Sequence, residues 1–307
     1  MSLTDLPVST IMRCAAQEGL LVPAFNVAHL PMLEVISATL VQLDTFGLVE
    51  VARPDVERFG AQSFAAVAAE FRRVGARSHT RLHLDHMPVV DEEGNRVDWQ
   101  RGIAEALELG YDSVMVDGSR LPLAENIAAT RTTVEMAHAA EVPVEAELGA
   151  VLGHEAGPLP PYEELFASGR GFTDVEEARR FVAETGLDWL SVAIGNVHGA
   201  ISGAAKDQKK VEARLHIEHL QALRAATNVP MVLHGGSGIQ PSYLLEAIRN
   251  GVAKLNIGTE IRQAYERAAG EARDVAAGQA AVAGKIRELV EDVYGIAGSA
   301  TRLAASP

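Results

Sequence analysis

Apolar residues along the chain fall into short unbroken runs, and longer stretches of helical period separate them. The runs at 21–27, 46–52, 81–86, 112–118, 142–148, 188–195, 230–235 and 252–258 read as strands. Helical spacing predicts helices over 31–44, 62–75, 98–110, 122–140, 174–186, 214–226 and 241–250. A continuously apolar strand between amphipathic helices belongs to a parallel sheet covered on both faces. About eight βα units in succession predict a closed α/β architecture, a (β/α)8 TIM barrel. The stretch 262–289, rich in Ala and Glu, predicts a C-terminal helical extension. No low-complexity linker interrupts the chain, so residues 1–307 are expected to form one domain.

Composition limits what such a barrel can act on. Hydrophobic residues make up 48% and charged residues 22%, as in a globular protein with a sizeable core. The formal net charge of -14 argues against nucleic acid or an anionic membrane as the main partner. A small anionic substrate is compatible, because a pocket can be positive on an acidic protein. Cys14 is the only cysteine, so neither an internal disulfide nor a thiolate metal cluster can form. Any metal must rest on His, Asp or Glu. The first residues lack a signal-peptide pattern, and no run approaches the roughly 18 apolar residues of a membrane span, so the expected location is the cytoplasm.

Active sites in such barrels gather where strands end and βα loops begin. Several polar residues fall there: His86, Asp117, Glu147, Asn196, His198, His234 and Asn256. The segment RLHLDHMP places His83, Asp85 and His86 within four positions. His86, His198 and His234 come from three different strands, and three imidazoles with an open coordination position suit a catalytic zinc ion. Strand alternation puts His83 and Asp85 on one face, with Leu82 and Leu84 on the other, and predicts an interior structural role for His83. The Gly-rich stretches IGNVHGAISG and LHGGSGIQP offer backbone N–H groups to a ligand, and NIGTE opens a helix whose N-terminus favours an anion.

Taken together, LHLDH, DSVMVDGSRLPLAENI, VEAELG, VAIGNVHG, VLHGGSG and KLNIGTE resemble the class II, zinc-dependent fructose-bisphosphate and tagatose-bisphosphate aldolases. The resemblance runs from PAFN at 23–26 to VYGIAGSA at 293–300. It implies a metal-dependent aldolase that cleaves a ketose phosphate reversibly into a dihydroxyacetone phosphate-type ketone and an aldehyde through a zinc-stabilised enediolate. It implies His86, His198 and His234 as metal ligands, with Glu147 near an alternative metal position. Asp85 is implied for proton transfer at the C4 hydroxyl, and Glu155, in GHEAG, for a proton at the nucleophilic carbon. Asn26, Gly199, Gly235, Ser237, Asn256, Gly258 and Thr259 are the implied substrate and phosphate contacts, with loops that could hold a monovalent cation. A homodimer or homotetramer is expected.

This chain departs from the family pattern on the substrate rim. Arg53, in VARPDVERFG, stands where the family carries a substrate-binding serine, and is expected to contact substrate here. Ser202 occupies a phosphate-contacting lysine position within the lengthened AISGAAKDQKK, and Arg120 replaces a common histidine. MPVVDEEGNRVDW is also longer than usual. These changes predict a substrate other than fructose 1,6-bisphosphate: an anionic ketose that is a monophosphate or an acidic sugar. Two alternatives stand beside this reading, a non-catalytic aldolase-like partner subunit and a metal-dependent barrel hydrolase. Schiff-base chemistry is disfavoured, because among the lysines at 206, 209, 210, 254 and 285 only Lys254 lies on a strand.

Overall fold

A computed structural model of the chain describes residues 2–149, 162–196, 213–236 and 238–306. The expected positions Glu155, His198, Gly199, Ser202 and Ser237 lie outside the described residues. Eight parallel strands close on themselves in sequence order: β1 (Val22–Asn26), β2 (Gly47–Ala52), β3 (Thr80–Pro88), β4 (Ser113–Asp117), β5 (Val144–Leu148), β6 (Trp189–Val192), β7 (Met231–Leu233) and β8 (Val252–Ile257). Each coincides with an apolar run of the sequence. β1 pairs with β8 through Val22↔Lys254 and Ala24↔Asn256, which completes the barrel.

Among the described residues, an N-terminal α1 (Val8–Glu18) precedes the first strand and twelve α-helices follow it, through to the end of the tail. Those used below are α2 (Met32–Gln42), α3 (Arg53–Glu57), α4 (Phe64–Val74), α5 (Trp99–Glu108), α6 (Leu123–His138), α7 (Tyr162–Ser168), α8 (Val175–Thr185), α9 (Ile217–Thr227), α10 (Pro241–Arg249) and α11 (Thr259–Ala269). α12 (Val275–Arg287), a single π-helical stretch (Glu288–Val293) and α13 (Ser299–Ala305) complete the tail. The helical extension expected over 262–289 is present and is divided at Gly270, whose φ of 55° ends α11. α1 and the short α3 and α7 were not anticipated from periodicity.

Two packed regions hold the barrel. A large core lies between the strands and the outer helices, where Leu33, Ile36, Ile103, Phe181, Leu220 and Ile261 are buried. A smaller one closes the N-terminal end, where Ile11 and Met12 of α1 pack with Phe46, Leu48 and Trp189. Arg81 ties this plug in place, donating from Nη2 to the Leu3 and Leu6 carbonyls at 2.5 and 3.2 Å. With that end sealed, the C-terminal end of the strands is left for the site.

The interior is not uniformly apolar. Glu50 on β2, Glu145 on β5 and Lys254 on β8 meet although their strands are not neighbours, which is possible only across the inside of the barrel. Each is fully buried.

Candidate active site

The site begins with an irregularity in β3. The β3–β4 register shifts between Leu84 and Met87, and His86 has φ 37°. Regular alternation would send Asp85 and His86 to opposite faces. The bulge and the left-handed residue turn both towards the mouth, a strained conformation of the kind that re-aims side chains at functional sites.

His86 meets His234 just beyond β7, with ring centroids 4.4 Å apart. One donor atom each from Asp85, His86 and His234 lies within 4.8 Å of the others. Glu147, at the end of β5, brings Oε2 to 3.0 Å from His234 Nδ1 and accepts from Ser191 Oγ at 3.2 Å. Each imidazole is oriented by a carboxylate behind it: His86 Nδ1 lies 3.2 Å from Asp117 Oδ2, and His234 Nε2 lies 2.9 Å from Glu145 Oε1. Donation from those nitrogens leaves His86 Nε2 and His234 Nδ1 as the nitrogens that can carry a lone pair into the site. Two imidazole nitrogens with carboxylate oxygens at this spacing suit a divalent cation of the zinc type.

Asp85 is held from both sides. Asn26 Nδ2 donates to its Oδ2 at 3.0 Å and Asn256 Nδ2 to its Oδ1 at 2.8 Å. Burial pushes its carboxyl up, yet His86, Lys254 and His234 outweigh that and hold it at about 2. Asp117 is likewise held low against burial by the His86 hydrogen bond and charge. Burial lowers both histidines, but Asp85 and Asp117 raise His86, and the Glu145 and Glu147 hydrogen bonds raise His234. The site is thus a dense alternation of opposite charges into which a cation fits.

His83 lies behind this layer, fully buried, with Nδ1 2.8 Å from Ser113 Oγ. Burial lowers its ring to about 3, which favours the neutral form, and its side chain is interior, as strand alternation predicted. Glu145 also accepts from Trp189 Nε1 at 2.6 Å and lies 2.9 Å from Lys254 Nζ. Burial raises Glu145, and Lys254 with His234 brings it well below the ordinary range. Burial pushes Glu50 well up, and Asp85 adds to this. Lys254 is lowered by burial but raised further by Glu145 and Glu50, so its ammonium stays charged and is no amine nucleophile. Glu50, Glu145 and Trp189 were missed from sequence. The two glutamates had a signal, since GLVEVA and VEAEL, like LHLD and VAKLN, place polar residues in strands that otherwise read as apolar; Trp189 reads as one more apolar residue of its run.

A cavity of about 410 Å3 opens over the site. On the β7–β8 side, Gly235, Gly236, Gly258 and Thr259 line it, and Thr259 begins α11, whose N-terminal N–H groups favour an anion. Gly258 lies against Asn26: a Cβ there would come 3.0 Å from Asn26 Oδ1. The β2–β3 side carries Arg53, Arg58 and the hairpin after β3, closed by the Val90↔Arg96 bridge. Arg53 Nε lies 2.5 Å from Glu57 Oε1 and its Nη1 3.9 Å from Asp91 Oδ2, while Arg58 reaches Glu92 at 2.7 Å. Arg120 is exposed at the cavity edge. Asn196, expected at the rim, instead donates to the His234 carbonyl at 3.0 Å and braces the strand that carries this histidine.

The closed barrel carries His86, His234, Asp85 and Glu147 at the C-terminal ends of its strands, where barrel enzymes hold their active sites. Residues 7–302 match the family fructose-bisphosphate aldolase class-II, and the chain belongs to that family. It is 40% identical over 187 residues to the 6-phospho-5-dehydro-2-deoxy-D-gluconate aldolase of Shouchella clausii, spanning 61% of this chain and 55% of that protein. Among solved structures it resembles the YdjI aldolase of Escherichia coli K12, with a TM-score of 0.75 and 27% identity, over 95% of this chain and 98% of that one. The fructose-bisphosphate aldolase of Campylobacter jejuni shares the fold at a TM-score of 0.72 and 18% identity, over 97% of this chain and 96% of that one. Aldolases of this class generally depend on a divalent metal. No helix among the described residues is long and apolar enough to cross a membrane.

Proposed function

We propose that the protein cleaves a ketose phosphate reversibly into a dihydroxyacetone phosphate-type ketone and an aldehyde, using zinc held by His86, His234 and, from outside the described residues, His198. The observation that carries this reading is the convergence of Asp85, His86 and His234 within 4.8 Å at the mouth of the barrel, with Glu147 beside them. The cation, when bound, withdraws electron density from the ketose oxygens and stabilises negative charge that develops there.

The protein's own residues do the rest. Asp85, ionised at any working pH, takes the proton of the hydroxyl next to the scissile bond. As that carbonyl forms, the carbon–carbon bond breaks and its electron pair stays with the ketone half, which is then protonated; Glu155 is assigned to that proton. Asn26 and Asn256 fix the direction of the Asp85 carboxylate. The phosphate of the ketone half is assigned to Gly235, Gly258 and Thr259, joined by Gly199 and Ser237.

Asp85 stands on the β2–β3 side, so those loops face the aldehyde half. The Shouchella relative is named for a substrate with a phosphate at one end and a carboxylate at the other. Arg53 follows directly after Ala52, the register partner of Asp85, and a guanidinium pairs well with a carboxylate. A phosphorylated keto acid is therefore the proposed substrate class, with Arg53 reading its acid end. Cleavage of fructose 1,6-bisphosphate, ketose monophosphates and 6-phospho-5-dehydro-2-deoxy-D-gluconate should be compared by coupled aldehyde release, in wild type and Arg53→Ser. The keto acid should be preferred, and Arg53→Ser should erode that preference. Clear preference for fructose 1,6-bisphosphate, unchanged in the variant, would refute the assignment, and no aldehyde from any ketose would refute the aldolase reading. Two or four copies per assembly are proposed as well, to be checked by light scattering.

A further inference from the structure

Beneath the two histidines lies a buried ion cluster that the reaction itself does not use. Its centre is Glu145, which has a separate task for each oxygen. Oε1 lies 2.9 Å from His234 Nε2, while Oε2 accepts from Trp189 Nε1 at 2.6 Å and lies 2.9 Å from Lys254 Nζ. Lys254 also reaches Glu50 Oε2 at 3.3 Å, and His83 Nε2 lies 3.5 Å from Glu145 Oε2. Glu145, Lys254, Glu50, His83 and Trp189 are all 0% exposed. The cluster is therefore out of reach of bulk water, so the attraction between ammonium and carboxylate is stronger than at the surface.

The direction of this chain of contacts matters. Lys254 enters from β8 and faces Oε2, while Oε1, the other oxygen of the same carboxylate, faces His234. We propose that Lys254 is a positioning residue, which acts through Glu145 to set the orientation of the His234 ring and thereby the site's hold on a divalent cation. Without the ammonium, Glu145 keeps only Trp189 and His83 around Oε2, and Oε1 is no longer fixed opposite His234 Nε2. Groups behind metal-binding histidines typically matter by about 10- to 100-fold in metal affinity. The inference rests on the reading that His234 binds the metal.

The competing account is that Lys254 merely neutralises buried acids, in which case its removal lowers stability and nothing more. Lys254→Met, of similar length and apolar, separates the two. Metal-free protein is titrated with Zn2+ against a chromophoric chelator, and visible absorption is recorded with Co2+, in wild type, Lys254→Met, Glu145→Gln and the double variant. Lys254→Met is expected to weaken Zn2+ binding by about 10- to 100-fold and to shift the Co2+ bands. In the Glu145→Gln background, the same replacement is expected to change affinity by less than about threefold, because the route through Glu145 is already broken. Wild-type Zn2+ affinity and an unshifted Co2+ spectrum in a folded Lys254→Met would overturn the inference. Equal losses in both backgrounds would do the same. If Lys254→Met does not fold alone, Glu145→Gln and the double variant decide together: a loss of about 10-fold or more in Glu145→Gln with a further change under about threefold in the double variant supports it, and wild-type affinity in Glu145→Gln, or a further loss well above threefold, overturns it. Failure of the wild type to bind Zn2+ would instead strike the proposed function.

Discussion

Replacing Asp85 by alanine tests the division of labour in the site most directly, because geometry alone permits two roles. Its carboxylate lies close enough to the donor atoms of His86 and His234 to be a third ligand. Its two oxygens, however, are engaged by Asn26 Nδ2 and Asn256 Nδ2, and a carboxylate held at about 2 is in the ionised form that a base requires. Loss of a general base costs about 100- to 10,000-fold in rate, or about 2.7 to 5.5 kcal/mol in the barrier. Alanine also strands two amide donors, each worth about 1 to 3 kcal/mol when buried and unsatisfied, while removing the cost of a buried charge. Stability should therefore fall only modestly. Asparagine is the poorer probe, since its amide would point a donor at one of the two donating neighbours. The assay is turnover of the preferred ketose beside zinc content of the same sample. Turnover should drop at least about 100-fold with zinc retained near wild-type stoichiometry. Zinc lost in proportion to turnover would refute the base assignment and make Asp85 a ligand.

Other changes probe neighbouring features. His234→Ala should abolish stoichiometric zinc binding, measured by metal analysis after gel filtration, with the overall helical circular dichroism retained. Asp55, whose Oδ2 accepts from the Ala52 N–H at 2.8 Å, is pushed by burial from 3.8 up to about 7. Its folded value lies above its unfolded one, so the proton-linked stability is fully present below about pH 4 and is lost as pH rises through 7. The ceiling is about 4 kcal/mol. The thermal midpoint of Asp55→Asn relative to wild type should accordingly climb between pH 5 and 8, and a constant difference would contradict the linkage. Gly118→Ala would drive a Cβ into Asn126, which donates to the Glu147 carbonyl at 3.0 Å; denaturant unfolding should show a loss of about 1 to 3 kcal/mol.

The strands were legible because a parallel barrel buries both faces of each one, and a doubly buried strand is written as an uninterrupted apolar run. The rim residues were legible for the complementary reason: Asn26, Asp117, Glu147 and Asn256 are polar where such a run stops. α1 was not, since its apolar stripe of Ile11, Met12 and Ala15 covers the barrel's closed end and belongs to no βα repeat. His86 stands at the mouth of the barrel, where the end of its strand put it, although period-two alternation alone would have pointed it away from Asp85. The register shift that reconciles them depends on pairing with β4, which no local pattern records. Arg53 illustrates the opposite limit. Its position on the rim could be read, but its engagement by Glu57 and Asp91 depends on where the hairpin after β3 folds back.

Charged residues inside strands carry a different kind of information. One Glu in an apolar strand reads as an outward-facing residue, yet Glu50, Glu145 and Lys254 sit on three strands that meet only across the axis. Two acids and one base at matching depth supply a counter-charge for each other that no single strand could provide. Burying such a cluster is costly compared with apolar packing of the same volume, so its presence beneath the mouth calls for a return other than stability. The contact that leaves the cluster upwards is the one from Glu145 to His234. If His234 binds the metal as proposed, a buried carboxylate behind it fixes ring and tautomer together, which a water-exposed carboxylate could not do without reorganising on each turnover. On this view the polar interior is the foundation of the site, holding one of its two histidines from below while the bulge in β3 aims the other.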